Sequence, residues 1–198
     1  MSPRRYRLGR RAETADETRQ RLIEAAFALH AEQGIQATTM KQIAERAGVS
    51  VGTVYHHFPT YEDAVNACGA HTSVSYPLPG PDIFADIAAP EERVRRLTAA
   101  YFNHFARIPW FEHIRTEPNP LPSVASFIKH EESNRVSLMR EALKPLKVDP
   151  RHARSAAALI DISVWSALRR AGFSNAAAAD EIAGFILARF GSPAQSNR

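Results

Sequence analysis

The chain has 198 residues, 44% of them hydrophobic, enough to build a core in one large domain or two small ones. Its formal net charge is +4, an excess too mild to establish a polyanionic partner by itself. The single cysteine excludes an intrachain disulfide and a cysteine-based zinc site; no stretch approaches the roughly 18 apolar residues that span a bilayer, no signal-peptide core occurs, and a cytoplasmic protein is expected.

In chain order, Arg4, Arg5, Arg7, Arg10 and Arg11 precede the first acid, Glu13, so residues 1–14 are expected to be a flexible basic arm. Such an arm is either a solubilising tail or a segment that touches phosphates. A first helix is expected from about Asp16 to Gln33, because Leu22, Ala25, Ala26 and Leu29 share one stripe. Gly34 sits where a left-handed cap is needed, and Ile35 supplies the apolar contact that accompanies it. Thr39-Met40-Lys41-Gln42 fits a capping box that opens a second helix. Ser50 opens a third and Thr60 a fourth, running to about His71 with Glu62 and Asp63 in its first turn and Cys68 as a small buried thiol. "SYPLPGPDIFADIAAP", Ser75 to Pro90, carries four prolines and a glycine and reads as the linker between two modules, 15–74 and 75–198. Further helices are expected from Pro90 to about Ile108, from Ser123 to Leu143, from Asp149-Pro150 to Ala171, and from Ser174 to Phe190, with an interrupted piece over "PWFEHIRTEPNPLP". The fold class is all-α, about nine helices and no strands.

The segment "TMKQIAERAGVSVGTVYHHF", Thr39 to Phe58, carries the chemistry. Two short helices joined through a glycine at a steep angle make a helix-turn-helix. Their close crossing needs a small side chain, which Ala44 supplies; Gly48 turns the chain at positive φ, Val49 plugs the turn, and Ser50 caps the second helix. Val54 packs back toward Ala44 and leaves a polar face of Val51, Thr53, Tyr55, His56 and His57. In such a pair the second helix reads base edges in the major groove. Thr53 and His56 can donate to or accept from bases, Val51 can meet a thymine methyl, and Gly52 allows close approach. Tyr55, His57, Thr39 and Lys41 are better placed for phosphates.

Residues Ala25 to Val65, "AAFALHAEQGIQATTMKQIAERAGVSVGTVYHHFPTYEDAV", resemble the TetR (tetracycline-repressor) family of bacterial transcriptional regulators. Those residues carry the resemblance and cover about a quarter of the chain; the match to the family's recognition helix, over "GVSVGTVYHHF", Gly48 to Phe58, is close. It implies a homodimeric repressor on a roughly palindromic double-stranded DNA operator, released by a small effector in the C-terminal module. In that family a lysine that contacts phosphate usually stands where this chain has Tyr61.

The C-terminal module has its own signals. Ile160, Val164, Ala167 and Ala171 form one stripe while Leu159, Ile162 and Trp165 cover much of the rest, so a helix over 151–171 must be buried on more than one side. With Ile182, Phe185, Ile186 and Phe190 on the last helix, it suits close antiparallel packing and a twofold homodimer interface, or simply the core of a monomer. Asp161 inside that run reads as an exposed edge residue or as a polar group at the interface or pocket. Tyr101, Phe102, Phe105, Trp110, Phe111, Phe127 and Trp165 are candidate ligand-lining residues, with Asn103, His104, His113 and Glu117 as polar anchors for an apolar or aromatic effector. An aromatic stripe at helical spacing serves equally as core. No HExxH, nucleophile elbow or Gly-rich phosphate loop occurs, and no enzyme, cofactor or metal site is expected. A helical enzyme using His104, His113, His130 or His152 with Glu131 or Asp161, and an accessory protein that binds a protein partner, are the competing readings.

Overall fold

The computed structural model describes residues 3–190, with side chains from residue 14 onward. Among these the chain forms α1 (Pro3–Gln33), α2 (Met40–Ala47), α3 (Val51–His57), α4 (Tyr61–Ser75), α5 (Pro90–Arg107), α6 (Phe111–Arg115), α7 (Pro122–Leu143), α8 (Pro150–Leu159), α9 (Ile162–Arg170) and α10 (Asn175–Phe190). Short 3-10 turns lie at Pro81–Phe84 and Lys144–Leu146, and no strand occurs among the described residues. The fold is all-α.

Two compact units arise. The first is everything up to Ser75 together with His113–Val124; the second is Tyr76–Glu112 with the chain from Ala125 on. In the first, Leu22, Ala26 and Leu29 from α1 meet Ile43 and Ala44 from α2, Val54 and Phe58 from the α3 region, and Ala64 and Cys68 from α4. Burial of each large apolar side chain contributes about 1.5–3 kcal/mol, so this single cluster is what lets a seven-residue helix such as α3 persist. Burial also pushes the Cys68 thiol up to about 11, as suits a packing residue rather than a reactive one.

The second unit is centred on α5, whose Val94, Leu97, Tyr101, Phe102 and Phe105 are all fully buried. Its principal neighbour is α10, which presents Ala178, Ala179, Ile182, Ala183 and Ile186. The alanines allow close approach, as expected, but the partner they approach most is α5 rather than the preceding helix.

Several boundaries differ from expectation, each for a local reason. Helix α1 begins at Pro3, not near Asp16, so the segment expected to be an unpacked arm has helical backbone. Arg, Ala, Leu and Glu there are good helix formers, and Gly9 does not stop the helix. The side chains of Arg4, Arg5, Arg7, Arg10 and Arg11 lie outside the described residues. Helix α4 continues past His71 to Ser75. The helix expected over 149–171 is broken at Ile160 into α8 and α9. Asp161 causes the break and is not an exposed edge residue. Its carboxylate accepts the Ser163 N–H at 3.0 Å as the N-cap of α9, and its other oxygen meets Arg135 Nη2 at 2.8 Å.

Candidate nucleic-acid interface

The helix-turn-helix is assembled by side-chain caps that the sequence spells out locally. Thr39 Oγ1 accepts the Gln42 N–H at 3.3 Å, and Gln42 Oε1 accepts the Thr39 N–H at 2.9 Å, closing the capping box at the start of α2. Gly48 ends that helix at φ 67, ψ 37, and its N–H together with that of Val49 bonds back to Glu45 and Ala44. Ser50 then caps α3, its Oγ accepting the Thr53 N–H at 3.1 Å. A left-handed residue between two capped helices produces the steep crossing.

The crossing sorts the residues of α3 by face. Val54 is fully buried beside Ala44 in the core of the first unit. Val51 and Tyr55 are 37% and 51% exposed, Gly52 and His56 are exposed, and Thr53 and His57 are half-buried. Thr53 Oγ1 shares a hydrogen bond with Ser50 Oγ at 2.8 Å, which fixes its rotamer toward the start of the helix. Thr39 and Lys41 are exposed at the start of α2, where Lys41 makes only a 3.8 Å surface pair with Glu45 that solvent screens. Arg46, by contrast, is committed: its guanidinium grips both Glu32 oxygens, at 2.8 and 2.6 Å.

One cation on this side has no sequence signal. Arg19 of α1 lies over the Phe58 ring, 5.2 Å from its centroid, at the end of α3. Its charge, after burial and His56, helps to hold the His57 pKa below its usual value. Three residues before Leu22 and seven before Ala26, Arg19 continues one edge of the apolar stripe of α1, and from sequence it looks like any solvated arginine.

Tyr61 does something other than replace a phosphate-binding lysine. Half-buried at the start of α4, its hydroxyl donates to the Ile35 carbonyl at 2.5 Å. The His30 Nε2, 3.1 Å away, must then be the donor to the same hydroxyl oxygen, which fixes that tautomer. His30 is 3% exposed and burial lowers its pKa to about 4, so it is neutral. Burial also raises the Tyr61 phenol well above its usual range. On its other side the Ile35 N–H donates to Glu117 Oε1 at 2.6 Å, and Gln36 Nε2 bonds to the Pro118 carbonyl. Gly34, at φ +88, leaves the room Glu117 and His113 occupy. The His113–Val124 segment is thus fastened to the loop after α1.

The residues expected to line a ligand site divide between the two units. His113 and Glu117 belong to the first, against the Gly34 loop. In the second, Tyr101, Phe105 and Trp165 form a ring ladder with centroid separations of 5.7 and 6.3 Å, and Phe111 meets Phe127 edge-on at 5.5 Å and Trp110 at 6.5 Å. Tyr101, Phe102 and Phe105 are fully buried, and Asn103 is exposed. His104 is 5% exposed, 5.8 Å from the Phe105 ring, and burial followed by Arg107 lowers its pKa to about 4. Its Nδ1 has no hydrogen-bond partner among the described residues. A buried acceptor left so is costly and asks for a donor. Among the described residues no group of three His, Cys, Asp or Glu side chains could hold a metal. His130 is exposed on α7 and His152 stacks on Phe190 at 5.7 Å, apart from His104.

A fully helical chain whose first unit is a capped helix-turn-helix with an outward second helix defines a helix-turn-helix regulator class of protein. Residues 22–68 match the model of the family described as bacterial regulatory proteins, tetR family. Over this region the chain is similar to the TetR family. It is 41% identical over 59 residues to the HTH-type transcriptional repressor KstR2 of Mycobacterium tuberculosis, covering 30% of each chain. It is 51% identical over 47 residues to the HTH-type transcriptional regulator SrpR of Pseudomonas putida, 24% of this chain and 22% of that one. The matched region therefore spans less than a third of the length of these relatives. A tetR-family transcriptional regulator from Streptomyces coelicolor has the same fold, with TM-score 0.67 at 19% identity over 92% of this chain and 84% of that one. So does the SmeT–triclosan complex, with TM-score 0.64 at 19% identity, covering 87% and 91%. No helix among the described residues is long and apolar enough to cross a membrane.

Proposed function

We propose that the chain is a homodimeric transcriptional regulator, a repressor that grips a palindromic operator through α3 and is released by a small effector in its second unit. The observation that carries this is the split of α3: Val54 buried against Ala44, with Val51, Gly52, Tyr55 and His56 turned out. Thr53 and His56 read base edges, Val51 meets a thymine methyl, and Gly52 admits close approach. Lys41, Thr39, Tyr55, His57 and Arg19 hold phosphates and so position without reading. Ser50 serves by holding α3 and orienting Thr53. Repression is supported by the named function of KstR2.

Release follows from geometry. Two recognition helices on one dimer must match a groove repeat of about 34–36 Å, or a multiple or bent variant. An effector changes operator affinity only by binding one spacing better than another, with coupling of typically about 1–3 kcal/mol. An effector site among Tyr101, Phe105, Trp165, Phe111 and Phe127 is supported by the unsatisfied Nδ1 of His104, which would accept from a ligand hydroxyl or amide. The triclosan complex of a protein of the same fold supports a ligand site. Helix α4, which ends at Ser75, and the tethered segment His113–Val124 are the chain's natural levers.

The test is selection of bound sequences from random duplexes, then band shifts on the recovered site. Thr53→Ala and His56→Ala are expected to lose about 1–3 kcal/mol of discrimination at one base position each. Lys41→Ala is expected to weaken all sequences alike and reduce the salt slope by about one. Unchanged preference in both α3 variants would refute the assignment.

A further inference from the structure

The second unit carries a recess of about 400 Å³ lined by Arg140, Pro150, Arg151, Arg154, Ser155 and Ala158. Arg151, Arg154, Ser155 and Ala158 fall at i, i+3, i+4 and i+7 of α8, one stripe along its outer face, and Arg140 faces them from the last turn of α7. Three arginines thus contribute to the lining of one hollow, largely through their apolar stems, and that lining includes no carboxylate. Nearby acids are engaged elsewhere. Glu141 meets Arg93 at 3.5 Å and Lys144 at 3.6 Å, and Asp149 Oδ1 accepts the Arg151 backbone N–H at 2.7 Å. None of Arg140, Arg151 and Arg154 makes an ion pair among the described residues, although Arg46, Arg93, Arg135 and Arg170 all do. Unpaired like charges gathered around a concavity repel one another, at a small cost that an anion would reverse.

We infer that this recess is an anion site that takes the phosphate groups of a phosphorylated small molecule. Guanidinium forks match phosphate oxygens two at a time, and three of them outnumber what a single carboxylate can engage. The Ser155 hydroxyl, which donates to the Arg151 carbonyl at 3.1 Å, still has an acceptor oxygen and can rotate its proton toward a phosphate. Pro150, Ala158 and the arginine stems provide an apolar floor for the body of the molecule. A hollow of this volume lies in the range of small-molecule sites. The site is separate from the aromatic residues of α5 and from α3, and it stands whether or not the DNA-binding reading does.

Titration calorimetry of the full chain with inorganic pyrophosphate at about 0.15 M salt, free of DNA, tests this. Saturable binding is expected, with Arg151→Ala and Arg154→Ala each weakening it about fivefold and the pair about twentyfold, the scale of exposed ion contacts. Arg154→Lys is expected to weaken it nearly as much as alanine, because the charge remains and the fork is lost. Thermal unfolding of each variant checks that the fold is retained; these side chains are exposed, so it should be. Equal affinity in the double variant would put the pyrophosphate elsewhere and overturn the site. Binding no tighter than to sulfate, or weaker than to citrate, would overturn the phosphate assignment.

Discussion

A Cβ built on Gly52 would meet only Ser50 Oγ, at 3.7 Å, an ordinary contact in a helix that already has its cap. For the fold, alanine is the better residue there, by about 0.5–1 kcal/mol. For a helix pressed against a DNA backbone it is worse, since an added methyl in a tight contact costs about 1–3 kcal/mol. Gly52→Ala should therefore raise the melting temperature and weaken operator binding in the same preparation; a variant stabilised with unchanged affinity would mean that Gly52 never approaches DNA. His30 gives a pH signature. Its folded pKa of about 4 lies below the usual 6.5, so the folded state resists protonation while the unfolded chain accepts it. Stability is then fully present above pH 6.5 and is lost as pH falls toward 4, at up to about 1.4 kcal/mol per pH unit. His104, lowered to about 4 as well, adds a similar slope. Urea unfolding between pH 7.5 and 4.5 should show the slope, and His30→Gln, which can still donate to Tyr61, should remove about half of it.

At the scale of elements, the break between α8 and α9 is held by Arg135, which is 3% exposed. It bonds to Glu131 Oε1 at 3.1 Å on its own helix, to the Ala157 carbonyl at 2.7 Å in the last turn of α8, and to Asp161 at the cap of α9. Arg135→Met would leave Glu131, fully buried, without this cation, and a loss of about 3–5 kcal/mol is expected in denaturant unfolding. A loss under about 1 kcal/mol would show that the cluster is not what holds the corner. This clamp explains what was legible beforehand. The caps at Thr39 and Ser50 and the turn at Gly48 join residues within about four positions, so α2 and α3 could be read from sequence, and with them the outward face. Arg135 and Asp161 are 26 positions apart, and Glu117 and Ile35 are 82 apart, distances at which no periodicity speaks. Asp161 did carry a local signal, an acid ahead of Ser163, but the apolar stripe from Ile160 to Ala171 overrode it. Tyr61 was legible only as a missing lysine; its bond to Ile35 and its histidine donor needed coordinates.

For the whole molecule, affinity for a palindrome depends on linking two copies. For the proposed homodimer, the apolar side chains left outward on the second unit offer a face: Phe185 is 58% exposed on α10 and Leu159 38% exposed at the end of α8. Gly184, with nothing within 4 Å of a Cβ built on it, and Ala188 lie beside Phe185, so a second helix could approach closely there. Burying a phenylalanine in each of two copies supplies about 1.5–3 kcal/mol apiece, and a carboxylate in the same place must be desolvated against its own symmetry mate. Phe185→Glu should therefore sediment as a monomer at concentrations where the proposed homodimer of the parent chain forms. It should keep its melting profile and lose operator affinity by about 10²–10⁴, the gain that tethering two half-site contacts provides. Because α3 is untouched, the variant should still bind an isolated half-site as well as a parent protomer does. A monomer that bound the full palindrome as tightly as the parent would separate recognition from dimerisation, and the spacing mechanism of release would fail with it.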